Sequence, residues 1–142
     1  MEKLDQIIFY TLEKSIKTYR QYAQRRINES KFDITIDQWL VLKTIQGNPD
    51  ASQQEIAESV FKDYASVTRI VELLVKKEYL SRDFHATDRR RFELSITKKG
   101  SRIVDDIMPI VKENRKQALK GFTKPQTEEF KNSLNKIIKN CS

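Results

Sequence analysis

The sequence predicts a mainly α chain that carries one small β-hairpin, an α+β arrangement dominated by helices. Three observations lead there. Over most of the length apolar residues recur at three- and four-residue steps, the spacing that gathers them on one face of a helix. From Phe92 to Ile96 the pattern changes, with Phe92, Leu94 and Ile96 alternating with Glu93 and Ser95, the two-residue period of a half-buried strand. Glycine and proline number 3 each, too few to turn the chain through a many-stranded fold.

The first helix is expected over residues 3–27, where Leu4, Ile7, Ile8, Leu12, Ile16, Tyr19, Ala23 and Ile27 form one stripe. Thr35 followed by Gln38 reads as a capping box, each side chain satisfying a free backbone N–H at the helix start, so a helix runs over Ile36–Gln46. Its inward face is Trp39 or Leu40, Val41 or Leu42, and Ile45, and the GNPD stretch ends it. Ser52 and Glu55 repeat the capping pattern for a short helix reaching Val60. After a tight turn Asp63 caps a third helix, Tyr64–Lys77, with Val67, Ile70, Val71 and Leu74 on one side. Ala65, Arg69 and Glu72 lie opposite, flanked by Ser66 and Thr68. Leu80–Asp83 is the strand that partners Phe92–Ile96.

From Thr97 a further helix is expected to run to about Phe122, with Ile103, Val104, Ile107, Val111, Ala118 and Phe122 inward. Pro109 sits inside it and lacks the N–H a helix interior needs, which predicts a kink or break at residues 105–109. Thr123 and Gln126 then open a last helix with the stripe Phe130, Leu134, Ile137 and Ile138.

Composition removes several classes of function. No apolar run reaches the roughly 18 residues of a membrane span. The N-terminus carries acidic residues and no small-residue cleavage site, so it is no secretory signal and a cytoplasmic location is expected. The single cysteine, Cys141, and single histidine, His85, make neither an internal disulfide nor a metal site. There is no nucleophile–base pair and no glycine-rich phosphate loop, so neither an enzyme nor a bound cofactor is expected. What remains is a net charge of +7, from 27 Lys and Arg against 20 Asp and Glu, which favours a polyanionic partner.

Three short helices followed by a hairpin, residues 33–97, are the order of a winged helix-turn-helix lobe. Double-stranded DNA suits it, because the major groove admits one helix whose exposed residues then meet base edges. Such a helix should present small and polar residues outward, and Ala65, Ser66, Thr68 and Arg69 do so. In the hairpin, residues two apart share a face. Asp88 can therefore brace Arg90 for the narrow, negative minor groove, while Arg89 and Arg91 point the other way, towards phosphates. The rival reading is a winged-helix module for protein–protein contact whose basic surface is incidental. A membrane surface would also attract the charge, but the amphipathic faces are needed to bury a core.

The stretches ITIDQWLVLKTI, SQQEIAESV, ASVTRIVELLVKKEYLSR and DRRRFELSITKKG resemble the MarR family of bacterial transcription regulators. The family's wing signature D-x-R…L-x-x-T-x-x-G is met by Asp88, Arg90, Leu94, Thr97 and Gly100. The resemblance spans essentially the whole chain and implies one subunit, 1–142, of a homodimer. Residues 1–30 and 98–142 would form the helical dimerisation region around the DNA-binding lobe. It further implies a pseudo-palindromic operator, usually repression of nearby genes, and DNA contacts at Ser66, Thr68, Arg69 and Arg90. Many relatives release DNA when a small phenolic or lipophilic ligand binds between the dimerisation helices and the lobe; Trp39, Tyr10 and Tyr19 would line that space here. One departure is Glu78, where the family commonly has glycine after the recognition helix; a left-handed turn there costs a glutamate about 1 kcal/mol. The N-terminal cysteine of the family's peroxide-sensing branch is absent.

Overall fold

A single 3-10 turn, Leu4–Gln6, leads into the 21-residue helix α1 (Ile8–Asn28). Then come α2 (Ile36–Gly47), α3 (Gln53–Ser59) and α4 (Tyr64–Lys76), an antiparallel hairpin of β1 (Leu80–Phe84) and β2 (Phe92–Ile96), and the helices α5 (Lys98–Asp106), α6 (Met108–Ala118) and α7 (Lys124–Asn140). The computed structural model describes residues 1–84, 87 and 92–142, with Phe92 described by its backbone alone. The order expected from the periodicities is the order observed.

The capping residues act as their positions suggest, with one difference. Thr35 and Thr123 each accept from the backbone N–H three residues on, and Gln38 and Gln126 return the bond to the Thr N–H. Ser52 accepts from the Glu55 N–H at 3.1 Å, but its hydroxyl then donates to the Glu55 carboxylate at 3.2 Å. That side-chain bond replaces the reciprocal half of the box.

Two element ends move, and the break expected at residues 105–109 falls at Ile107. Ile7 is extended, so α1 begins at Ile8 rather than at residue 3. The helix expected from Thr97 to Phe122 is broken in two at Ile107, and Pro109 falls in the first turn of α6, where a missing N–H has no intrahelical partner to lose. α6 stops at Ala118, and Gly121 turns left-handed at φ 89 to redirect the chain into α7. Ala118 and Phe122, expected inward, are accordingly exposed.

The core lies among α2, α3, α4, α5 and the first residues of the hairpin: Val41, Leu42, Ile56, Val67, Val71, Leu74, Leu80, Val104 and Ile107 are all buried. On α2 both Val41 and Leu42 are inward, and Trp39 and Leu40 pack partly against the same cluster. That helix is enclosed nearly all round, so no single stripe describes it.

Two helices end through left-handed residues that are not glycine. After α4, Glu78 has φ 66; its N–H donates to the Val75 carbonyl at 3.0 Å and the Tyr79 N–H to Leu74 at 2.9 Å, the paired bonds of a Schellman cap. After α3, Phe61 at φ 60 does the same, with the Lys62 N–H reaching the Ala57 carbonyl at 3.0 Å. A side chain in this region costs about 1–2 kcal/mol relative to glycine.

The end of β2 is bolted to the first of these caps. The Thr97 N–H donates to the Tyr79 carbonyl at 3.1 Å, its hydroxyl donates to the Glu78 carbonyl at 2.6 Å, and the same oxygen accepts from the Gly100 N–H at 3.0 Å to start α5. A Cβ on Gly100 would lie 2.1 Å from the Tyr79 carbonyl oxygen, so the approach is open only to glycine. These two sites should respond in opposite directions to denaturant. Glu78→Gly relieves the left-handed strain and should raise unfolding free energy by about 1 kcal/mol. Gly100→Ala should lower it by about 2 kcal/mol or more, through displacement of the α4–β1 turn.

Candidate nucleic-acid interface

α4 is gripped at both ends. At its start the Asp63 carboxylate accepts from the Ser66 N–H at 2.7 Å. That backbone bond, then the Ser66 hydroxyl and the charge of Arg69, hold the Asp63 carboxyl below the usual carboxylate range, against a smaller upward pull from burial. The Arg69 guanidinium in turn donates to the Ser66 hydroxyl oxygen at 3.4 Å. At the far end Lys77 donates to the Asp33 carboxylate at 3.0 Å and to the Gln38 amide oxygen at 3.1 Å, and the Tyr79 hydroxyl donates to the Asp33 carbonyl at 3.0 Å. Burial, followed by the charge of Asp33, pushes the Tyr79 phenol up, so it stays a neutral donor. Lys99 closes the corner, 5.4 Å from the Tyr79 ring centroid and 3.0 Å from the Lys77 carbonyl.

Between these grips the helix buries Val67, Val71 and Leu74 and exposes Ala65, Arg69 and Glu72, with Ser66 half-buried. Ala65 keeps the surface low, so a duplex can come close to the backbone, and Arg69 and Lys76 are exposed cations on that helix. Thr68 is committed more deeply than its sequence position suggests. Its hydroxyl donates to the Tyr64 carbonyl at 3.0 Å and accepts from the Gln53 amide on α3, which leaves it a single lone pair. Gln53, unremarked in the sequence, therefore sets the Thr68 rotamer; its place at the first position of α3 gave no local signal of that. Phe61 and Tyr64, both exposed beside the start of α4, were also missed.

The hairpin register pairs Leu80 with Ile96, Arg82 with Leu94 and Phe84 with Phe92. Leu94 and Ile96 pack partly against the core. Asp88, Arg89, Arg90 and Arg91, with His85, lie outside the described residues.

The aromatic residues suggested for a ligand space separate. Tyr19 and Trp39 line one cavity of about 210 Å³ between α1, α2 and α6, together with Arg20, Asn114 and Arg115. Tyr10 does not reach it; it is exposed on another face of α1, among Glu13, Lys14 and Lys17. The cavity has an unusual lining. Among the described residues two buried side-chain atoms have no hydrogen-bond partner, Trp39 Nε1 and Asn114 Oδ1, and both residues border it. Arg20 also pairs with Asp37 on α2, whose other oxygen lies 3.4 Å from Lys62 in the turn ahead of α4. A second, wider groove of about 850 Å³ runs between α1, α6 and α7, walled by Phe9, Leu12, Ile16, Leu119, Phe130 and Leu134. No residue of α7 is buried. Among the described residues no three His, Cys, Asp or Glu side chains gather as metal ligands would, and no helix is long and apolar enough to cross a membrane.

Residues 32–91 match a family model described as the MarR family. Three solved structures share the fold over nearly the whole chain. A protein of unknown function from Listeria innocua is 32% identical, with 94% of this chain and 91% of that one covered at a TM-score of 0.69. BpsR of Bordetella bronchiseptica, whose DNA binding is regulated by 6-hydroxynicotinic acid, is 19% identical over 96% of each chain with a TM-score of 0.86. A MarR mutant from E. coli complexed with operator DNA is 24% identical, covering 96% of this chain and 99% of that one at a TM-score of 0.80.

The Asp63 cap makes the start of α4 sensitive to acid. A carboxyl whose folded pKa is depressed stabilises the fold above its unfolded pKa, and that contribution disappears as pH falls through the folded one. Thermal unfolding of the wild type should therefore lose stability on the acid side of the ordinary aspartate range. In Asp63→Asn, which keeps a capping oxygen but cannot ionise, that part of the acid slope should be gone. Asp63→Ala should be less stable than either at neutral pH.

Proposed function

The chain belongs to the MarR family, and from that premise we propose that it is a DNA-binding transcriptional regulator, a homodimer that represses from a pseudo-palindromic operator and answers to a small molecule. The observation that carries the reading is the exposed face of α4, low and polar, held rigid by Asp63 at one end and by Asp33 and Gln38 at the other. A helix so fixed can meet base edges without first losing conformational freedom. In this reading Ala65 permits close approach, Arg69 and Ser66 contact base or phosphate, and Thr68 acts through its remaining lone pair. Arg90, braced by Asp88, reads the minor groove, with Arg89 and Arg91 on phosphates. Residues 33–97 are the DNA-binding lobe, 1–30 and 98–142 the dimerisation region, and the regulator works in the cytoplasm without catalytic chemistry of its own.

Dimerisation is supported by the apolar surface that the single chain leaves bare. Phe9, Ile16, Phe122 and Phe130 are all about half exposed or more, and all line the one groove between α1, α6 and α7. Soluble monomers rarely expose so large a contiguous patch, and a second copy of the same helices would cover it.

Ligand response is supported by the cavity beneath α1. Trp39 and Asn114, which border it, carry a buried donor, Nε1, and a buried acceptor, Oδ1, without partners, and each such group costs about 1–3 kcal/mol while unmet. A small planar molecule carrying both an acceptor and a hydroxyl would satisfy them. If it also carries a carboxylate, it competes with Asp37 for Arg20 and so acts on the turn that Lys62 and Asp37 hold ahead of α4.

Two measurements test the reading. Anisotropy titrations of the duplex upstream of its own gene should show log K falling steeply with log salt, since several phosphates are neutralised. Arg90→Ala should weaken binding with the dimer intact, and Arg69→Ala should weaken it by an amount that depends on operator sequence if the contact is to a base. Near-zero salt slope would leave the protein-contact reading in its place. For the cavity, Trp39 is the only tryptophan, so its emission should change on titration with hydroxylated aromatic acids, 6-hydroxynicotinic acid among them. Asn114→Leu should abolish that response while raising the unliganded protein's stability by about 1 kcal/mol, because an unpaired polar group is removed.

A further inference from the structure

Phe61 is 91% exposed, more than any other described aromatic residue, and it holds φ 60, a conformation that a bulky side chain seldom adopts. Nothing in the fold needs the ring. The cap it completes rests on backbone bonds, Phe61 N–H to the Glu58 carbonyl at 3.3 Å and Lys62 N–H to Ala57 at 3.0 Å, and glycine would make both at lower strain. An apolar ring in water and a strained backbone are two separate costs at one position, and strain of this kind is tied to function more often than to architecture.

Its location says what the ring meets. Phe61 lies in the turn between α3 and α4, two residues before the N-cap Asp63, and the turn is tied down by the Lys62–Asp37 ion pair. When the N-terminal turn of a recognition helix enters the major groove, the turn preceding it lies at the groove's edge. Tyr64, 54% exposed, is a second bare ring three residues on, at the first position of α4. The apolar groups that DNA offers there are thymine C5-methyls and deoxyribose carbons, and aromatic side chains pack on the thymine methyl.

Resting on the DNA-binding reading above, we propose that Phe61 is a DNA-contacting residue whose ring packs against a thymine methyl or a deoxyribose at the edge of the operator's major groove. It adds an apolar contact to a face otherwise made of polar groups and Arg69, and with a thymine methyl it adds sequence preference.

The test compares the full-length wild type with F61G, F61A and F61Y, using anisotropy with the duplex upstream of its own gene and thermal unfolding of the free protein. F61G should melt a few degrees higher, because its cap is relaxed, yet bind about tenfold more weakly, because the ring is gone. F61A should bind as weakly as F61G without the gain in stability, and F61Y should bind like the wild type. Operators with uracil replacing thymine one site at a time then separate the two DNA groups. If one substitution weakens the wild type but not F61G, the contact is a methyl. If none does while F61G remains weak, it is a deoxyribose. F61G binding as tightly as the wild type overturns the proposal, as does affinity that follows thermal stability across the variants. Failure of the wild type to bind the duplex at low salt would instead overturn the DNA-binding reading itself.

Discussion

The Thr97 hydroxyl and the bare Cα of Gly100 join the end of α4, the end of β2 and the start of α5 at one point. One oxygen donates to the Glu78 carbonyl and accepts from the Gly100 N–H, so a single side chain ends the hairpin, starts α5 and holds the C-terminal cap of α4. Gly100 allows the approach because any side chain would collide with the Tyr79 carbonyl oxygen. Tyr79 then carries the constraint onward, packing into the core beside Leu74 and donating to Asp33. α4 and the end of β2 are thus positioned relative to each other by bonds to backbone groups.

That rigidity explains the division of labour across the surface. α4 presents a short polar face whose arginine and serine are already linked to the capping aspartate, so little ordering remains for binding to do. Apolar surface is left bare elsewhere, along α1, α6 and α7, where another copy of the chain can cover it. Between the two regions lies the cavity with its unpartnered Trp39 and Asn114 atoms. Arg20 borders that cavity and shares Asp37 with Lys62, so the space beneath α1 and the turn ahead of α4 are joined by one carboxylate.

The candidate site was partly legible in advance. Outward residues of α4 follow from helical periodicity, because Val67, Val71 and Leu74 must face inward whatever else the helix does. Thr68 shows where such reasoning stops. Its face was read correctly, but its hydroxyl is taken up by Gln53 from a helix fifteen residues earlier, a contact with no trace in local spacing. Tyr10 and Tyr19 show the same limit in another form. Nine residues apart on a helix, they point about half a turn apart, and only Tyr19 lines the cavity that Trp39 borders.

By itself the sequence determined the element order, the capping residues, the break near Pro109 and the inward placement of Leu94 and Ile96, because each depends on neighbours within about four positions, where backbone geometry is nearly fixed. The left-handed turn at Glu78 was expected only through the family resemblance, which puts a glycine there, and the backbone does take that conformation. Tertiary structure alone decided which side of the long α1 is covered, where α6 stops, and which buried polar atoms go unpaired. It also decided that Phe61 stands outward in a strained turn. Those outcomes depend on residues brought together from distant parts of the chain, and local periodicity carries no term for a partner that arrives from another element.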